Sequence, residues 1–255
     1  MSRWSADPLR IALVPGEAAL LRAHGTPASR VLATDGHSAA SLLPLLDEAL
    51  ADPAWHGRRV EVVLSQHFVR HVLTPPPGRM LSLAEERALV GASLREIYGD
   101  EAQQWNVQVI SQPPRLGLVG AAVDAAFTQQ LDALLARRGF RDVTIRPLAS
   151  FAARRLPGNF AGWWVLAEPG WLNLFGGANG MWRHLAGLPV DDDWADALPD
   201  LIEREAGFAT LPVPSAVWVQ AVGTGTVPKP DSNNERWQVL PHDTEAHGAL
   251  ALAGI

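Results

Sequence analysis

One pattern occurs twice, and it restricts the fold more than any other feature of the 255 residues. The runs RIALV and AALLRA flank Pro15-Gly16, a pair suited to a type II turn because Pro presets φ and Gly accepts φ > 0. A third strand, SRVLAT, follows, then Asp35-Gly36-His37-Ser38 as a helix start. SAASLLPLLDEALA reads as a helix with Pro44 in its early turns, and VEVVLS as a strand covered on both faces. The second half repeats this order. WWVLA and WLNLF flank Pro169-Gly170, and GMWRHLAG, Asp191 to Asp193, DWADALPDLIEREAG and SAVWVQAV follow. Pro169 minus Pro15 is 154, Asp191 minus Asp35 is 156, and Val217 minus Val63 is 154. Three features at one spacing predict an α/β chain with an internally duplicated β-β-β-α-β unit.

Extra material separates the copies. Leu83, Arg87, Val90, Leu94 and Ile97 stand at helical spacing, opened by Ser82 with Glu85 three residues on, a capping box. WNVQVIS and LGLVGAAV read as strands, and Asp124 caps a helix that stops at Gly139. DVTIRPL is one more strand. Pro157-Gly158-Asn159 divides a first half, 1–156, with an inserted subdomain, from a shorter second half, 157–255. The tail from Val227, rich in Pro, Asn and Asp, reads as irregular.

Composition narrows the function classes. The net charge is −6 and the basic residues are scattered, so no nucleic-acid partner is expected. There are no cysteines, which removes disulfides, thiolate metal sites and Cys nucleophiles together. The first residues lack the cationic start of a secretory signal, and their apolar run is cut by Pro15, Gly16 and Glu17. No run reaches about 18 uninterrupted apolar residues, so direct membrane insertion is not expected.

The duplicated meander, helix and parallel strand resemble the actin-like, ribonuclease-H-type architecture. The stretch VVLSQHFVRHVLTPPPGRMLSLAEERALV is more specific. It is similar to a region of PilM-type pilus-assembly proteins and of the cytoplasmic part of the type II secretion L protein, where a buried strand leads to a second strand with Arg, a Pro-bearing turn and a Glu-rich helix. The resemblance covers most of residues 10 to 222 and is carried by pattern more than identity.

In actin-like proteins each first hairpin carries an Asp-x-Gly turn. Its backbone N–H groups cradle phosphates, while the carboxylates order a hydrated magnesium ion or the attacking water. The matching positions here are Val14-Pro15-Gly16 and Glu168-Pro169-Gly170. Val14 cannot order a metal's water shell, each proline removes an N–H donor, Glu17 repels phosphate, and Trp171 is bulky. The resemblance therefore implies retained hairpins with degenerate chemistry: no catalytic residue, no cofactor and no metal. A Gly-rich turn at Gly223 to Gly225 is a weaker match to the adenosine-binding element, and FGGANG reads as a hairpin turn through Asn179-Gly180.

Other candidate groups have plainer readings. His67 and His71 stand four apart, but Phe68, Val69, Val72 and Leu73 argue for a strand, where the two would lie about 13 Å apart as surface histidines. Asp191 to Asp193 lack a loop of oxygen ligands and suit a helix N-terminus. Ser65 and Ser150 follow apolar runs without a nucleophile elbow. Trp163 and Trp164 must point to opposite faces of their strand, one under a helix and the other toward a cleft or partner.

The expectation is a non-catalytic actin-like scaffold of a type IV pilus or type II secretion assembly platform, cytoplasmic and recruited to the inner membrane. The resemblance implies a partner: the cytoplasmic tail of a bitopic inner-membrane protein, or an assembly motor ATPase. The rival readings are an ATP-binding actin-like ATPase that retains Glu168 and the 223–225 loop, and a small-molecule kinase relative.

Overall fold

The computed structural model describes residues 8–22, 28–209, 216–224, 237–240 and 248–254. In the first half, β1 (Leu9–Val14), β2 (Glu17–Arg22) and β3 (Ala28–Ala33) form the meander. α1 (Leu43–Ala49) and β4 (Arg59–Leu64) come next, with Pro44 in the first turn of the helix. The insert holds β5 (Arg70–Leu73), α2 (Leu83–Tyr98), β6 (Trp105–Ile110) and β7 (Val119–Asp124). α3 (Ala125–Arg137), β8 (Asp142–Pro147) and α4 (Leu148–Ala152) complete this half. The second half runs β9 (Gly162–Glu168), β10 (Trp171–Ala178), β11 (Met181–Pro189), α5 (Trp194–Phe208), β12 (Val217–Ala221), β13 (Trp237–Val239) and α6 (Gly248–Ala253).

The duplication is real. The first sheet has the order β3-β2-β1-β4-β8 and the second β11-β10-β9-β12-β13. In each, an antiparallel meander continues into two parallel strands. Each half is therefore one strand longer than the β-β-β-α-β unit read from sequence. The expected irregular tail is corrected by the same finding. Its described residues supply β13, the fifth strand, and α6, whose Ala249, Leu252 and Ala253 are buried against β1 and β2. Ala12 and Ala19 provide the room. Of the rest of that tail, 227–236, 241–247 and 255 lie outside the described residues.

Alternation along the strands sets three main apolar layers. Leu9, Ile11 and Leu13 of β1 face a core covered by α1 and α3. Trp163, Val165 and Ala167 of β9 lie under α5 with Leu198 and Ile202. The opposite faces meet each other, with Ala12, Ala19 and Val63 against Trp164, Leu166 and Phe175, and α4 and α6 in the same layer. Trp163 and Trp164 thus take opposite faces as expected, and Trp164 is fully buried between the halves, stacked on Phe175 at 4.6 Å.

The insert is a three-stranded sheet, β5-β7-β6, with α2 across it and its own core of Val72, Val90, Leu94, Leu118 and Ala122. The capping box forms: Ser82 N–H donates to Glu85 Oε2 at 2.8 Å, and Glu85 N–H to Ser82 Oγ at 3.4 Å. Asp124 caps α3 by accepting Phe127 N–H at 2.6 Å.

Candidate functional site

Both Pro-Gly hairpins close as their sequence requires. Val14 pairs with Glu17 and Glu168 with Trp171, and Gly16 and Gly170 take φ of 75° and 73°. What differs from a phosphate cradle is what meets each turn. At the first, the Glu17 carboxylate accepts Ala249 N–H at 2.8 Å. Gly248 sits so close that a Cβ there would lie 2.6 Å from Glu17 Oε1. The other end of α6 is held too, by Arg10 Nη1 donating to Ala253 C=O at 3.2 Å. The sequence predicts that Glu17 repels phosphate; its partner, the start of α6, has no signal in the sequence.

At the second turn, Glu168 is 1% exposed. Its Oε2 accepts Gln66 N–H at 2.7 Å, and the Ser65 hydroxyl also bonds it. Burial pushes this carboxyl up to about 7, with those two hydrogen bonds opposing the rise. One residue on, Pro169 C=O lies 2.9 Å from His67 Nε2. A carbonyl only accepts, so that nitrogen carries the proton. The His67 ring tilts on Trp171 at 5.6 Å, and Arg70 Cζ stands 6.0 Å from the same indole. Residues 65 to 70 therefore clamp the turn from the first half. Glu168 Oε1 and the side-chain amides of Gln66 and Gln220 are buried without a partner among the described residues.

The histidines depart from expectation. His67 lies in a short 3-10 turn, Gln66–Phe68, because Ser65 Oγ accepts His67 N–H at 3.2 Å and breaks the run. The strand begins only at Arg70. Neither is a surface histidine: burial lowers both, His71 to about 4, and Arg70 adds to each shift. Asp193 precedes α5 without a side-chain cap bond. Asn179 and Gly180, at φ 55° and 71°, make an ordinary two-residue hairpin turn between β10 and β11. At Gly223 a Cβ would meet Gly248 N at 3.2 Å; Gly225 is outside the described residues. Among the described residues no group of three or more His, Cys, Asp or Glu could hold a metal ion. None of their helices is long and apolar enough to cross a membrane.

A groove of about 510 Å³ runs between the insert and the first sheet. Asn106 and Gln108 of β6 form one wall, Thr144 and Arg146 of β8 the other, with Ala121 and Val123 between. Both walls are sheet-edge strands. The groove shares Gln108, Ala121 and Pro147 with an apolar pocket of about 120 Å³ against Trp164, Phe175 and Trp182.

Two sheets of identical order, a covered seam between them and an insert after β4 define the class: an α/β protein with a duplicated, actin-like fold. Solved structures of that class are similar to it at low identity. One is the cytoplasmic domain of EpsL, an inner-membrane component of the type II secretion system of Vibrio cholerae. It has a TM-score of 0.58 and 17% identity, over 96% of this chain and 92% of that one. A Bacteroides thetaiotaomicron protein with actin-like ATPase fold and unknown function has 0.57 and 9%, over 100% and 99%. A PilM-PilN type IV pilus biogenesis complex has 0.53 and 12%, over 84% and 81%. No protein-family model and no curated protein matches the sequence.

Proposed function

We propose that the protein is a non-catalytic actin-like scaffold of a type IV pilus or type II secretion assembly platform. The division at 156/157 would separate its two halves. One observation carries this reading: Glu168, at the second phosphate-turn position, and Glu17, the residue just after the first turn, are each engaged by a backbone N–H group of the chain itself. A triphosphate approaching either turn meets a carboxylate already hydrogen-bonded and a proline without an N–H. With Val14 in place of the first acid, nothing there orders magnesium.

The partner in this reading is the cytoplasmic tail of a bitopic inner-membrane protein, which would recruit the scaffold to the membrane from the cytoplasm. The groove between β6 and β8 supports it. Two open strand edges face one trough of mixed apolar and amide character, which suits an extended segment added as a strand. An assembly motor is a second partner of the same scheme. The test uses synthetic tails of the inner-membrane proteins encoded beside this chain, titrated by fluorescence anisotropy. Saturable binding lost in Thr144→Arg, which blocks the trough, supports the reading; no binding by any tail contradicts it.

A further inference from the structure

A small cavity lies beside the clamped hairpin, between β5, β10 and β11. Trp171 and Asn173 sit two apart on β10, so their side chains share a face. Both lean over Gly187 of β11: a Cβ on that glycine would lie 3.2 Å from Asn173 Oδ1 and 3.5 Å from Trp171 Nε1. Asn173 is 4% exposed. Trp171 Nε1 and Asn173 Nδ2 are both buried hydrogen-bond donors without a partner among the described residues. Buried polar groups are almost always paired, and two orphan donors on one wall point to an acceptor that is not protein.

Arg70 lines the same cavity and brings a fixed positive charge, with one guanidinium nitrogen donating to His67 C=O at 2.9 Å. His71, on the neighbouring wall, is neutral at physiological pH because of burial and Arg70. No carboxylate lines the space. The nearest acid along the ladder is Glu168, paired with Trp171, and its carboxyl turns away to Ser65 and Gln66. The cavity measures about 20 Å³, the scale of one water or one monatomic ion. Three donors face it, Trp171 Nε1, Asn173 Nδ2 and the Arg70 guanidinium, beside Asn173 Oδ1, the Tyr98 hydroxyl and the His71 ring, and the fixed charge of Arg70 favours an anion over a water.

We propose that this cavity is a site for a monatomic anion of chloride size, held by the Trp171 indole N–H, the Asn173 amide and the Arg70 guanidinium. The ion neutralises Arg70 within a seam where β5 of the insert packs on β11 of the second half, so it fastens the insert to the second sheet. Arg70 and Trp171 also belong to the clamp on the second turn, but neither Pro15-Gly16 nor Pro169-Gly170 lines the cavity.

Two measurements test it. Crystals grown in sodium bromide should show an anomalous peak within hydrogen-bonding distance of Trp171 Nε1. At matched ionic strength, about 200 mM chloride should raise Tm by about 2–4 °C over gluconate, which is too large to enter. Trp171→Phe keeps the ring and removes the donor, and should abolish that difference; Asn173→Leu serves if the first variant fails to fold. Water in place of bromide, equal stability in the two salts, or a chloride effect that survives Trp171→Phe would overturn the proposal.

Discussion

Glu168 and Gln66 stand 102 residues apart, and the carboxylate of the first accepts the backbone N–H of the second at 2.7 Å. This bond joins a hairpin of the second half to the 3-10 turn that follows β4 in the first. It gives a buried acid a structural task at the position that the proposed function matches to a phosphate turn.

Burial of the same carboxyl, which the bond only partly offsets, makes stability depend on pH. The Glu168 carboxyl titrates at about 7 when folded, against an ordinary value of 4.5. Its contribution is fully present below 4.5 and is lost as pH rises through 7. The loss is on the order of 3 kcal/mol. Glu168→Gln keeps an acceptor for Gln66 and removes the charge. Urea titrations between pH 5 and 8 should show the variant flatter than the wild type and more stable above pH 7.5.

His71 acts in the opposite sense. Its folded value of about 4 lies below the ordinary 6.5. The stability it supports is present above pH 6.5 and is lost as pH falls through 4, because the unfolded chain takes up the proton first. His71→Phe should remove this acid-side loss. In the double variant with Glu168→Gln, both of these contributions should be gone, leaving the acid-side slope of Glu85 and Asp47, which Tm measured from pH 4 to 8 will read.

Glu17→Ala should free the start of α6. Losing a carboxylate bond to a backbone N–H costs about 1.5–3 kcal/mol. Hydrogen exchange should quicken at Ala249 and its neighbours while β7 keeps its protection. A loss of protection throughout would mean that α6 has no separate stability.

The insert has a sharper sensitivity. A Cβ at Gly120 would lie 2.3 Å from Val90 Cγ1 and 2.8 Å from Val72 Cγ1. Gly120→Ala should destabilise by about 1–3 kcal/mol through overpacking. Val90→Ala in the same chain should recover part of that loss, which a double-mutant cycle measures.

Local signals carried most of the fold. The paired Pro-Gly turns, the Ser82–Glu85 box and the Asp124 cap each announce themselves within a few residues, and all three form. The three-residue β13 and the helix GALALA did not, since their stability comes from β12, β1 and β2 rather than from their own periodicity. Residues of the site were legible as types but not as pairs. Val14, Pro15, Gly16, Glu168, Pro169 and Gly170 stood out, whereas their clamps, Gln66, His67 and Ala249, are brought in only by tertiary packing.

The central claim is that hydrogen bonds within the chain replace a nucleotide at both turns. Isothermal titration of the intact protein with magnesium-ATP tests it most directly. The account predicts no saturable heat into the millimolar range. A saturable, magnesium-dependent isotherm, abolished by Glu168→Gln, would contradict it.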